Sequence, residues 1–273
     1  MIWKEVHKCM TKQEFIRTIP SLEKISIIYA QSTRMPMVFC MDDTMDDYVY
    51  IYLNEEEALE KAKTLTADKY PAFVVNCNDN GILPFFADLR LTGVNAICFV
   101  QAKADGAEEF LVQLTEFLAL PNTEAIPPEK RLIENPTLQL SMLYFMQEIR
   151  RPTEMAEKVN LRELEEESSA NLVKSKFLIP LQDVNEEGSE ETKRAVMLLK
   201  NNNGEGFVPL FTDGAELRRF SKGKVIPVYV CDFKMIVDMM KNTKAAGIAI
   251  NPTSSNVMLN KVGVASLEKR FLQ

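Results

Sequence analysis

Pro121, Pro127 and Pro128 interrupt the chain near its middle, with polar residues between them. Proline has no backbone donor and clashes with the preceding helical turn, so neither a helix nor a central strand runs through this stretch. Residues 121–134 therefore read as a linker, and a chain of 273 residues is long enough to place a domain on each side. The expected organisation is an N-terminal α/β domain over 1–120, the linker, and a second α/β domain over 135–273.

Both sides alternate strand and helix signals. In the first, Thr11 and Glu14 have the spacing of a capping box, and Ile25–Tyr29 is an apolar run without a readable period. Met37–Met41 and Tyr48–Leu53 read as a hairpin across the acidic turn 42–47. Asn54 then caps a helix that opens Glu55-Glu56-Glu57, where carboxylates favour the positive end of the helix dipole. Tyr70–Cys77 reads as a strand, Ile82–Leu89 as a helix and Val94–Val100 as a strand. Phe110, Leu111, Leu114, Phe117 and Leu118 fall at helical spacing.

In the second, Asn135-Pro136 is a helix start, and a second helical stretch covers 154–174. Phe177–Leu181 reads as a strand. Ala195–Leu199 and Phe207–Phe211 flank Asn201-Asn-Asn-Gly-Glu-Gly206, a hairpin signal, because Asn and Gly tolerate positive φ. Thr212 or Asp213 caps the next helix. Val225–Cys231 and Gly247–Asn251 read as strands around the helix Phe233–Met240, and Val257–Leu259 as a hairpin partner. The order repeats: Asn54–Leu59 stands where Thr212–Leu217 stands, Pro71-Ala-Phe-Val where Pro227-Val-Tyr-Val does, and Gly93-Val-Asn-Ala where Gly247-Ile-Ala-Ile does. The fold class is therefore α/β (α+β): two tandem mixed-sheet domains with helices packed on the sheets, related by a divergent duplication.

Composition removes several function classes. Hydrophobic residues make up 46%, a globular rather than a disordered balance. Lys and Arg number 32 against 39 Asp and Glu, so bulk charge does not draw the chain to nucleic acid. No apolar run approaches the ~18 residues of a membrane span, and the N-terminus has no signal-peptide pattern. Five cysteines without a Cys-x-x-Cys pair read as free thiols of a reducing cytosol, with no structural zinc. His7 is the single histidine and stands next but one to Cys9 near the terminus, a poor catalytic scaffold. No phosphate-binding glycine loop or serine-nucleophile elbow occurs, and no cofactor is expected. The acidic run 42–47 with Glu55, Glu56, Glu57 and Glu60 lacks the alternation of a calcium loop and reads as a solvated turn plus a favourable helix start.

Four segments of the second half carry a resemblance: Asn135-Pro136-x-Leu138, Phe177-Leu-Ile-Pro-Leu181, Phe207-Val-Pro-Leu-Phe-Thr-Asp213 with Glu216-Leu217, and Gly247-Ile-Ala-Ile-Asn-Pro252. In order and spacing they resemble the SseB N-terminal domain, a family linked to serine sensitivity in bacteria, over roughly 135–262. The resemblance implies a bacterial cytosolic protein without assigned catalytic residues. Two functions follow from this reading. One is a non-catalytic protein- or peptide-interaction module of undefined biochemical role. The other is a carboxylate-based enzyme acting on a small polar molecule.

The candidate binding residues are Phe211, Thr212, Asp213, Asp232, Asn251 and Pro252. Each stands at or beyond the end of an apolar segment, where ligands gather in open α/β sheets. If Phe207–Phe211, Val225–Cys231 and Gly247–Asn251 run parallel in one sheet, right-handed crossovers bring their ends to one edge. That edge would show free N–H groups at the helix start after Thr212.

Overall fold

The computed structural model describes residues 10–103, 106–119, 126–127, 130–185 and 192–272. His7 and Cys9 lie outside them, as does much of the 121–134 linker. The chain divides into two compact units, 1–90 with 94–121, and 91–93 with 122–273.

The first unit opens with helix α1 (Lys12–Thr18), and the Thr11–Glu14 capping box is present. Its strands are β1 (Lys24–Ala30), β2 (Phe39–Cys40), β3 (Asp47–Tyr52), β4 (Ala72–Asn78), β5 (Ala96–Lys103) and β6 (Gly106–Gln113), with α2 (Glu55–Ala67) and α3 (Asp79–Leu91) between them. They make one six-stranded sheet in the order β4-β1-β3-β5-β6, with β2 on β3. Asn54 caps α2 by accepting from the Glu56 N–H at 2.9 Å. Successive strand residues face opposite sides. On one face Tyr48, Tyr50, Tyr52, Cys98 and Val100 pack with Ala58 and Ala62 of α2. On the other, Phe15 of α1 stacks on Phe99 with ring centres 3.9 Å apart.

Two readings change here. The unassigned run 25–29 is the interior strand β1, antiparallel to both β3 and β4. Residues 106–113 form strand β6, antiparallel to β5. The apolar spacing from Phe110 to Leu118 mixes a strand with the short helical turn Leu114–Glu116, which together imitate a helical stripe.

The second unit carries α4 (Pro136–Ile149), α5 (Leu161–Lys174), β7 (Lys176–Asn185), β8 (Thr192–Val196), β9 (Leu199–Lys200), β10 (Gly206–Leu210), α6 (Gly214–Ser221), β11 (Val228–Asp232), α7 (Phe233–Asn242), β12 (Gly247–Ile250), β13 (Val257–Asn260) and α8 (Lys261–Phe271). Val208, Leu210, Ile248, Ile250, Phe177, Ile179 and Cys231 form the strand side of its core, and α4, α5, α7 and α8 cover it. The Asn/Gly hairpin is shorter than its flanks suggested: β9 pairs with β10, while Ala195 and Val196 pair with β7.

One expectation fails. Val225–Cys231 does not join the sheet of β10 and β12. The strand is β11, and it pairs antiparallel with β7 in the sheet β11-β7-β8. β10 and β12 are parallel neighbours in the other sheet, β13-β12-β10-β9. The crossover from β10 therefore leaves its own ladder and returns to it only at β12.

The repeat seen in the sequence is a repeat of topology. β3 and β5 are parallel, as are β10 and β12. β4 is antiparallel to β1, as β11 is to β7. Gln31 N–H donates to Pro71 O at 2.9 Å, and Leu181 N–H donates to Pro227 O at 2.9 Å. The β1–β3 pairing shrinks in the second unit to a single bridge, Leu178 to Phe211, which is why its strands separate into two sheets. The glycine match does not hold. Gly93 precedes β5 with φ 87°, whereas Gly247 lies inside β12, where an added Cβ would meet Leu259 O at 2.1 Å.

Candidate functional site

The chain passes from β10 into α6 through Phe211, Thr212 and Asp213, and from β12 into a turn through Asn251 and Pro252. Parallel pairing sets these two exits side by side. Phe211 is fully buried, with both backbone groups bonded to Leu178 at 2.9 Å and its ring 5.0 Å from that of Phe220. Asn251 has φ 46°, a left-handed conformation that Asn tolerates. Its Oδ1 accepts from the Thr212 N–H at 3.1 Å, and its Nδ2 donates to Thr212 Oγ1 at 2.9 Å.

Asp213 is only 2% exposed. Its Oδ1 accepts from the N–H groups of Ala215 and Glu216, at 2.7 and 2.9 Å. Its Oδ2 accepts from Gln139 Nε2 at 2.7 Å and from Thr212 Oγ1 at 3.1 Å. The free N–H groups expected at this helix start are therefore taken by the cap itself. A buried carboxylate needs such donors, because leaving its charge unpaired is costly. Asn135 shows the same economy: its side chain donates to Lys176 O and Thr212 O, both at 2.7 Å, instead of capping α4.

Glu216 lies one helical turn into α6 and is also buried. It pairs with Arg219 and accepts from Ser254 Oγ at 2.7 Å. Burial pushes its carboxyl above the ordinary range; the Arg219 charge opposes the shift and the Asp213 charge adds to it. This pair of acids ties α6 to β10 and to the turn after β12.

The six candidates thus separate. Phe211, Thr212, Asp213 and Asn251 are buried together, and Pro252 follows them half-buried in the turn. Asp232 stands elsewhere, exposed at the end of β11 opposite Lys176, where it caps α7 by accepting from the Met235 N–H at 2.9 Å.

A different surface becomes visible beside Asp232. Among the described residues β11 pairs only with β7. Val230 faces Leu178, whose own N–H and C=O go to Phe211, and Val228 faces Pro180, whose C=O accepts from the Met197 N–H. The main-chain groups of Val228 and Val230 therefore point away from β7, since antiparallel pairs alternate between bonded and non-bonded. Val228, Tyr229 and Val230 are 38, 42 and 44% exposed, and Val225 is fully exposed. Lys222, Lys224 and Lys234 stand exposed along the same segment. The sequence signal for this edge was the run Pro227-Val-Tyr-Val230, which reads as an ordinary core strand until its partners are known.

No curated protein matches the chain. Among solved structures it is similar to Tic22 from Plasmodium falciparum, at 11% identity over 81% of this chain and 84% of that one, with a TM-score of 0.22. It is also similar to Anabaena Tic22 (protein transport), at 10% identity over 86 and 88%, with a TM-score of 0.17. At TM-scores this low neither likeness bears on fold or function. Residues 158–265, which contain α6, β11 and the buried acids, match the family model of the SseB protein N-terminal domain, and over this segment the chain is SseB-like.

Proposed function

We propose that the chain is a non-catalytic, cytosolic bacterial interaction protein whose SseB-like unit binds an extended peptide by adding it as a strand to β11. The open edge of Val228–Val230 carries this reading. It offers main-chain donors and acceptors in a row, beside exposed β-branched and aromatic side chains. The peptide gains its affinity from backbone hydrogen bonds, and alternate side chains against Val228 and Val230 select its sequence. Exposed Lys222, Lys224 and Lys234 favour acidic flanks on that peptide. The free thiols of Cys40, Cys77, Cys98 and Cys231 support a reducing compartment.

Selection from a displayed library of random peptides tests the proposal. The wild-type chain should enrich sequences that alternate apolar residues between acidic flanks. The double substitution Val228→Lys with Val230→Lys should weaken their binding by about tenfold or more, because like edges blunted with lysine resist pairing. Unchanged binding by that variant, with its circular dichroism intact, overturns it.

A further inference from the structure

The two faces of β11 differ, and a strand added at its edge meets both. Strand side chains alternate, so Val228, Val230 and Asp232 share one side of the sheet, and Tyr229 and Cys231 the other. Cys231 lies in the core with Phe233, Ile236 and Val237 of α7, which puts Tyr229 on the α7 side. Its hydroxyl is 4.0 Å from Met235 Sδ, and both residues are exposed. They form an aromatic and thioether ledge beside the edge. Val228 and Val230 form an aliphatic strip on the opposite side.

The main chain fixes which side chain meets which. Leu181 N–H donates to Pro227 O, so position 227, like 229 and 231, turns its main chain toward β7. The N–H that Pro227 lacks is therefore missing from the inner ladder, and the outer row at Val228 and Val230 is unbroken. On an added antiparallel strand, the residues opposite Val228 and Val230 exchange hydrogen bonds with them. The residue between those two faces Tyr229 in a non-bonded pair, where Cα atoms are about 4.5 Å apart and side chains approach most closely. Its side chain falls on the ledge of Tyr229 and Met235. The side chains on either side of it fall beside the two valines.

We infer, resting on the strand addition proposed above, that the peptide runs antiparallel to β11 and is read at three successive residues as aliphatic, aromatic, aliphatic, with the aromatic ring on Tyr229 and Met235. A ring in that position packs on the Tyr229 ring and takes a sulfur contact from Met235. β-Branched residues beside it suit both the strand and the two valines. A second copy of the chain would bring its own Val228-Tyr-Val230. However, antiparallel pairing centred on Tyr229 carries the Lys222 and Lys224 end of each copy toward Lys234 of the other, and like charges oppose it. A foreign peptide with acidic flanks meets the same lysines favourably.

Fluorescence polarisation of the full chain with a labelled peptide, Glu-Glu-Val-Phe-Val-Glu-Glu capped at both ends, tests the inference. Saturable binding is expected. Serine in place of the central phenylalanine should weaken it about fivefold to tenfold. Tyr229→Ala should weaken the phenylalanine peptide by the same factor and leave the serine peptide unchanged, so that this variant no longer tells the two apart. Met235→Ala should reduce the discrimination in part. Both positions are exposed, so the thermal midpoint should stay in place. Equal binding of the two peptides by the wild-type chain, with both lost in the double variant Val228→Lys with Val230→Lys, overturns the aromatic position and leaves strand addition standing. Discrimination that survives Tyr229→Ala overturns it as well. Absence of binding by either peptide overturns strand addition and the aromatic position together. Concentration-dependent dimerisation that Tyr229→Ala abolishes would assign the edge to a second copy instead.

Discussion

β4 and β11 occupy the same place in the two units, each antiparallel to the strand that opens its sheet and each entered through a proline whose carbonyl is bonded across. Their surfaces differ. β4 runs seven residues, pairs with β1 along all of them and carries Asn76 and Asn78 toward its end, and the 13-residue α2 packs on it. β11 runs five residues as Val-Tyr-Val-Cys-Asp, and the equivalent helix α6 is eight residues long. Both are edge strands, so one architecture yields a longer, polar-ended edge with a helix on its face in one copy and a shorter, apolar edge in the other.

The strongest way to break this comparison is at the parallel ladder that both units share. Ala96 in β5 stands opposite Tyr48, and Gly247 in β12 stands opposite Phe207. Gly247→Ala drives a methyl into the Leu259 carbonyl, so unfolding of the second unit should become easier by about 3 kcal/mol or more. Ala96→Gly in the first unit should cost about 1 kcal/mol. Urea denaturation read by amide exchange in each unit measures both, and equal losses would show that the two ladders are alike.

The helix starts come next. Asp213→Ala removes a cap and leaves one N–H of buried Gln139 and the Thr212 hydroxyl without an acceptor, a loss of about 2–3 kcal/mol. Asn54→Ala removes only an exposed cap, about 1 kcal/mol. Faster exchange over α6 than over α2 in the paired variants checks the difference.

Acidity separates the buried Glu216 from four acids of the first unit. Glu216 has a folded-state pKa above its ordinary 4.5, so its stabilisation is fully present below that value and is lost as pH rises through the raised one. Asp46, Glu55, Glu108 and Glu116 of the first unit are shifted down. Hydrogen bonds to side-chain partners dominate the first three; for Glu116, Lys12 and the Gln113 backbone outweigh its burial. Their stabilisation is present above the ordinary values and lost as pH falls, though their exposure keeps it small. Glu216→Gln should therefore flatten the decline of second-unit stability as pH rises above the ordinary 4.5 of a glutamate, and leave the first unit's acid sensitivity unchanged. A pH series of urea midpoints tests this; an unaltered slope in the variant counts against it.

The smallest effect is a rate. Among the described residues each unit buries one thiol, and burial pushes Cys98 and Cys231 up to about 12. Of the four thiols among the described residues, exposed Cys40 should react with a thiol reagent first, and Cys77 next. Cys98 and Cys231 should react only as their own units open, so separate rates for the two would time the units independently.

Much of the fold was legible because it is written in short-range chemistry. The Thr11–Glu14 box, the Asn54 and Asp213 caps, the Asn/Gly hairpin and the β12–β13 pair all close within a few residues, so composition and spacing predict them. β6 was not legible, since Phe110 to Leu118 carries apolar residues at a spacing that fits a helix and its strand pairing depends on β5. The candidate site was half legible. Thr212, Asp213 and Asn251 do come together, but their donors and acceptors satisfy one another. Asp232 was drawn in by an assumed sheet order that the β7–β11 pairing replaces.

The sequence by itself determined the helix caps, the Asn/Gly turn, most of the strand and helix order and the SseB-like segments, because caps, turns and alternation act over a few residues. Tertiary structure alone decided which strand β11 joins, that Asp213 and Asn251 are enclosed, and that Val228 and Val230 stay open. Those outcomes depend on partners about forty residues or more away in the chain, and no local pattern states which partner a strand will find.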